Sequence, residues 1–145
     1  MASEETGQRR IVVGVDGSPS SNAALAWAAR QAELTGSALV ALITWDWPMS
    51  YGYPMPVAAN FDPSGEAGKV LDEALAPIRS SHPELEVETL VVEGYPAAAL
   101  VEASRGAELL VVGNRGHGEV AGLLIGSVSE FCVTHAHCPV LVFRS

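Results

Sequence analysis

Asp16 and a series of glycines near the end of the chain have the types and spacing that can do chemistry. Gly113, Gly116, Gly118, Gly122 and Gly126 follow the apolar run Leu109 to Val112, and Ser127 and Glu130 come directly after. Glycine permits positive φ and lets backbone N–H groups come close to a ligand. Ser127 reads as an N-cap, with Glu130 three residues on completing a capping box. A helix that starts there presents free N–H donors and the positive end of its dipole, which suits an anion such as phosphate. Arg115 is the cation within the loop. The spacing is not that of a Walker A motif, since no Gly-Lys-Ser/Thr follows. It is not the dinucleotide fingerprint either, which opens the first strand–helix unit and not the last. Taken alone, the glycines read better as turn residues, because short motifs recur by chance.

A second cluster, Cys132-x2-His135-x-His137-Cys138, contains metal-ligand residue types. Structural zinc sites pair their ligands at more regular spacings, and Pro139 follows at once. The cluster reads better as a helix face carrying Cys132 and His135, with His137 and Cys138 ending that helix near solvent. Two cysteines without a secretory signal fit a reducing compartment and a cytoplasmic location.

Composition narrows the class. The chain has 145 residues, 48% apolar and 17% charged, which predicts a globular, soluble, single domain. No apolar run is long enough to span a bilayer. Residues 1–10 are polar and read as a flexible tail before a domain over 11–145. The formal charge is −9, with one lysine and seven arginines. That balance argues against a nucleic-acid surface, which needs clustered cations. It also means that a triphosphate would rely on backbone N–H groups and a divalent metal more than on side-chain cations.

The elements that must position these residues alternate. Ile11 to Asp16 is a first strand, apolar until Asp16. Ser18 and Pro19 are the N-cap and first residue of a helix with an alanine-rich buried stripe, and Gly36 is its stop. Leu39 to Thr44 is a second strand. An irregular stretch, 45–62, comes next, in which Trp45, Trp47, Tyr51 and Tyr53 either lid a planar ligand or pack over the sheet edge. Glu66 to Ser81 is helical, with Pro77 expected to kink or end it. Glu86 to Val92 is a third strand, Pro96 opens the next helix, and 109–112 is a fourth strand. A helix from Ser127 to Ala136 and a strand from Pro139 to Phe143 complete the chain. The pattern βαβαβαβαβ predicts an α/β, doubly wound, five-stranded parallel sheet in the order 3-2-1-4-5, Rossmann-like, with helices on both faces. Ligands bind such sheets at the carboxyl ends of the strands where the order reverses. Here the reversal lies between the strands that end at Asp16 and Gly113, so the two polar features meet.

At this point the sequence resembles the universal stress protein family, in its ATP-binding branch. The matching pieces are Val13-Gly-Val-Asp-Gly-Ser18, Glu93-Gly-Tyr-Pro96, Gly113-x2-Gly116-x9-Gly126-Ser127 and Cys138-Pro-Val-Leu-Val142. The resemblance implies ATP at the strand carboxyl ends. Val15 and Thr44 would border the adenine through backbone groups. Asp16 would lie beside ribose and phosphates and help hold Mg²⁺. Gly113 and Gly116 would pass close to ribose and phosphates with Arg115 beside them, and Gly126, Ser127, Val128 and Ser129 would surround the phosphates. It also implies a homodimer through the last strand, Val140 to Phe143.

The function implied is a nucleotide-dependent switch or sensor in a stress response. Two alternatives stay open: a slow ATPase or nucleotidyl-transfer enzyme, for which Asp16, Arg115 and His117 are candidate residues, and an interaction module of the same fold that binds no nucleotide. A phosphoacceptor regulator lacks the acid cluster and lysine it needs, and a serine hydrolase lacks the Gly-x-Ser-x-Gly elbow.

Overall fold

The structure is a computed structural model that describes residues 8–47, 49–50, 52–115 and 125–144. In chain order the elements are β1 (Arg10–Gly14), α1 (Pro19–Thr35), β2 (Ala38–Trp45), β3 (Met49–Ser50), β4 (Tyr53–Pro54), α2 (Pro63–Ser81), β5 (Val87–Glu93), α3 (Pro96–Ala103), β6 (Leu109–Gly113), α4 (Ser127–His135) and β7 (Val140–Phe143). Five strands form one parallel sheet in the order β5-β2-β1-β6-β7. Counting the long strands alone, this is 3-2-1-4-5, the expected topology. The order reverses between β1 and β6.

The central strands are apolar because both of their faces are covered. Ile11, Val12 and Val13 of β1, Leu39 to Ala41 of β2, and Leu110 and Val111 of β6 are essentially inaccessible. On one face, Ile11, Val13, Leu39, Ala41 and Val111 pack against α1 and α2; on the other, Val12, Val40, Leu42, Leu110 and Val112 pack around Leu100 of α3 and Cys132 of α4. The period-two alternation of strand side chains assigns each residue its face. Helix α1 buries Ala24, Ala28, Ala29 and Ala32 with Leu25. Its small side chains let the helix axis approach the sheet closely. Helix α2 uses larger residues instead, Leu71, Leu75 and Ile78, each stabilising the fold by about 2 kcal/mol on burial.

Helix boundaries follow the cap chemistry. Ser18 caps α1 by accepting the Ser21 N–H at 3.2 Å, Pro19 takes the first turn, and Gly36 ends the helix in the left-handed region at φ 71°. Asp62 and Pro63 repeat that signature for α2, with Asp62 accepting the Gly65 N–H at 3.1 Å. The helix therefore begins before Glu66. It also runs through Pro77 to Ser81 without ending there. Within 45–62, β3 and β4 form a short antiparallel pair turning at Gly52, φ 81°. Strand β1 includes Arg10, one residue before the expected start, and Val15 extends its pairing by donating to the Leu42 carbonyl at 2.8 Å. At the opposite end of the sheet, the buried Ser104 hydroxyl donates to the Val101 carbonyl and accepts the His137 N–H at 2.9 Å. This joins the end of α3 to the entry of β7.

Candidate functional site

A cleft of about 470 Å³ opens at the carboxyl ends of the strands, where the sheet order reverses. Several chain segments build it. From the first strand–helix unit come Val15, Asp16 and Ser21; from β2, Leu42, Ile43 and Thr44; from β6 and the turn after it, Val112, Gly113 and Arg115; from the start of α4, Gly126, Val128 and Ser129. The structure thus brings together Val15, Asp16, Thr44, Gly113, Arg115, Gly126, Val128 and Ser129. Ser127 is exposed and is not among the lining residues. Gly116 and His117 lie outside the described residues.

Hydrogen bonds fix the two polar loops. The exposed Asp16 accepts the Ser18 N–H on Oδ1 at 2.8 Å, and its own N–H donates to Ser21 Oγ at 3.2 Å. These bonds orient the carboxylate at the start of α1. On the other side of the reversal, buried Ser20 Oγ donates to Asn114 Oδ1 at 3.1 Å and accepts the Arg115 N–H at 3.4 Å. Asn114 donates its N–H to the Phe143 carbonyl and accepts the Gly126 N–H at 2.6 Å. The Ser129 hydroxyl donates to the Gly113 carbonyl. One network therefore locks the start of α1, the end of β6, the start of α4 and the end of β7 together.

Gly113 has a packing reason as well as any role in binding. A Cβ there would stand 2.5 Å from Ser20 Oγ and 3.0 Å from Ser20 backbone atoms. Gly14 likewise admits Leu100, whose Cδ1 would be 3.0 Å from an added Cβ.

The start of α4 corrects one expectation. Its N-cap is Gly126, in extended conformation, and Ser127 is the first helical residue; no side chain among the described residues caps the helix. The Ser127–Glu130 capping box is not formed. Glycine has no side-chain acceptor to offer, so the first-turn N–H groups of α4 have no side-chain cap among the described residues. They adjoin Arg115, the one guanidinium or ammonium among the described residues lining the cleft.

Sequence reasoning missed the cleft's side walls. Glu66, Ala67 and Val70 of α2 line one side, and Pro96 and Leu100 of α3 the other. The Asp62-Pro63 start signal and the Gly94-Tyr-Pro96 turn were the available clues, since each aims a helix start at the carboxyl edge. The aromatics of the 45–62 stretch pack on one another. Trp45 and Trp47 meet edge to face with centroids 5.7 Å apart, and Phe61 follows Trp47 at 6.3 Å. Tyr53 is largely exposed, and Tyr51 lies outside the described residues.

The cysteine–histidine cluster is dispersed. Cys132 is buried beneath α4, and burial pushes its thiol up to about 11. Cys138, after the helix end, is half-buried, and burial raises its thiol too. The exposed His135 ring stacks on Phe131. No group of three or more His, Cys, Asp or Glu among the described residues is arranged to hold a metal.

The profile of the Universal stress protein family matches residues 8–144. The chain belongs to the universal stress protein family. A universal stress protein of Mycobacterium tuberculosis is 38% identical over 143 residues, covering 94% of this chain and 46% of that protein. A second, from Mycolicibacterium smegmatis, is 36% identical, covering 92% of this chain and 45% of that protein. The chain thus spans about half the length of these relatives. Among solved structures, a universal stress protein in complex with cAMP is 29% identical, with a TM-score of 0.69, covering 92% of this chain and 94% of that one. The universal stress protein from Archaeoglobus fulgidus in complex with dAMP shares the fold, at 24% identity and a TM-score of 0.66, over 92% and 96% of the two chains. No helix among the described residues is long and apolar enough to cross a membrane.

Proposed function

We propose that this universal stress protein binds ATP in the cleft between β1 and β6 and serves as a nucleotide-dependent switch in a stress response. The observation that carries the reading is the uncapped start of α4, facing a largely apolar cleft at the sheet's reversal point. An uncapped helix start suits a phosphate chain, and apolar walls suit a base. The cAMP complex of a 29% identical structural neighbour supports a nucleotide as the ligand class. In this reading Val15 and Thr44 border the base. Asp16 and Gly113 lie by the ribose. Arg115, Gly116, Gly126, Ser127, Val128 and Ser129 attend the phosphates.

Charge supports Mg²⁺ as the companion of ATP. Residues 116–124 contain no lysine or arginine, so Arg115 would face the phosphates with little other cationic help. Mg²⁺ is commonly held by one or two carboxylates plus phosphates and waters. Asp16 is a carboxylate oriented for that by the Ser18 N–H it accepts, with its main chain held by Ser21 Oγ.

Homodimerisation through β7 belongs to the same reading. The strand is an edge of the sheet. The carbonyls of Pro139 and Phe143 accept from β6 and the residue after it, so the backbone groups of Val140 and Val142 point outward, as parallel pairing alternates. Val142→Pro removes an outward donor and spares the β6 ladder; sedimentation of this variant as a monomer is expected, and an intact dimer would contradict the interface.

Calorimetry of nucleotide-stripped protein with ATP, with and without Mg²⁺, tests the proposal. Binding that tightens with Mg²⁺ is expected. Folded protein that takes up no nucleotide would favour the interaction-module alternative.

A further inference from the structure

The cleft is electrically polar along its length. At the β6–α4 end stand Arg115 and the uncapped helix start. At the β2 end the walls are helices: α2 packs over β2 and β5 on one face, and α3 over β1 and β2 on the other. Ala67 and Val70 from α2 and Pro96 and Leu100 from α3 make a slot with apolar sides. Proline at the first position of α3 adds no N–H to that wall. At the rim of the slot, on the first turn of α2, stands Glu66.

A ligand that matches this arrangement carries an anion at one end, a flat ring in the middle and a hydrogen-bond donor at the far edge. An adenine nucleotide has that form, and its donor is the exocyclic 6-amino group. A carboxylate only accepts hydrogen bonds at neutral pH, so it rewards a donor at that edge. Glu66 is available for the task. Its present partner is Lys69, 4.0 Å away, and both side chains are largely exposed, at 66% and 74%. Such a contact holds a side chain weakly.

Resting on the nucleotide reading above, we propose that Glu66 is a specificity-determining residue that accepts a hydrogen bond from the 6-amino group of a bound adenine. Its rim position sets the scale: one charge-assisted hydrogen bond, part-shared with water, corresponds to about tenfold in affinity.

The test compares ATP with purine riboside 5′-triphosphate, which lacks only the amino group, on wild type, Glu66→Ala and Glu66→Gln, by calorimetry with Mg²⁺. Thermal melting checks that each variant is folded. Wild type is expected to prefer ATP about tenfold, Glu66→Ala to bind both ligands alike, and Glu66→Gln, which keeps a neutral acceptor, to fall between. A residue that merely steadied α2, or met the ribose, would weaken both ligands equally. An unchanged preference in Glu66→Ala, or a wild type that binds both triphosphates alike, overturns the role of Glu66 and leaves the nucleotide reading standing. A wild type that binds neither overturns the nucleotide reading itself, and this inference with it.

Discussion

Helices α1 and α4 begin at the same crevice, on opposite faces of the sheet, and their first turns are finished in opposite ways. At α1, Ser18 accepts the Ser21 N–H, Asp16 accepts the Ser18 N–H, and Pro19 contributes no donor. That helix start is closed by its own residues. At α4, the N-cap is Gly126 and no side chain among the described residues caps the turn. The difference teaches where binding capacity resides. A helix start pointed at a cleft is not an anion site when its own caps occupy the donors; a glycine cap leaves them to a ligand. The other two helices extend the contrast. Asp62 closes the start of α2; the start of α3 has no side-chain cap, as at α4, but its first residue is Pro96, which brings no N–H and an apolar ring to the cleft.

The comparison can be broken most severely at the joint that holds both helix starts together. Gly113→Ala drives a methyl group into Ser20 of α1. The relevant neighbours include backbone, so relaxation is limited, and a loss of about 2 kcal/mol or more is expected in chemical denaturation. A variant as stable as wild type would show that α1 and β6 are not packed as described.

Next in size is a carboxylate at the open helix. Ser127→Asp places negative charge on the exposed first residue of α4. It favours the helix dipole by about 0.3–1 kcal/mol and opposes a phosphate. ATP affinity should fall about tenfold, or ~1.4 kcal/mol, while the melting temperature holds or rises. Affinity and stability moving in opposite directions is the signature. Unchanged affinity would mean the phosphates are not at α4.

The closed helix should respond the other way. Ser18→Ala removes a buried cap and is expected to cost about 1 kcal/mol of stability, with ATP affinity altered less than about twofold on this account, since its loss is the scaffold's. A large, selective affinity loss at Ser18 would make α1, too, a ligand site.

The smallest effect is expected in the loop ahead of α2. Phe61→Ala deletes one partly exposed aromatic contact to Trp47, worth about 0.5–1 kcal/mol. Because Phe61 precedes the Asp62 cap of the helix carrying Glu66, a matching small loss of ATP affinity is expected. Stability loss without any change in binding would show that the aromatic group does not position that wall.

Much of the fold was legible in the sequence, because its signals are local. Apolar runs such as Val12–Val13 and Leu109–Val112 mark strands covered on both faces. Ser18-Pro19 and Gly36 mark the limits of α1. The strand order followed from alternation and crossover handedness. The failures have physical causes. Asp62-Pro63 carries the same start signal as Ser18-Pro19, but lies in a stretch without periodicity. Pro77 is accommodated because α2 is held by the burial of Leu71, Leu75 and Ile78 around it. Ser127 has the right type for a cap, yet the backbone enters α4 one residue earlier, and no sequence pattern fixes that register. Of the cleft, the residues at strand ends and in the glycine series could be named in advance. The walls from α2 and α3 could not, because Ala67, Val70 and Leu100 look like ordinary core residues until the helices are laid on the sheet. The role of Gly113 against Ser20 depends on two segments far apart in the chain.

The central claim is that the open start of α4 and the sheet edge at β1 and β2 hold one nucleotide. Titrating ¹⁵N-labelled protein with Mg·ATP and following the amide resonances tests it most directly. The account predicts the largest shifts at Val15, Thr44, Arg115 and Gly126 to Ser129, with the N–H groups of Ser20 and Ser21 in α1 moving less. Shifts that cluster away from the carboxyl edge of the sheet, or that spare α4 altogether, would contradict it.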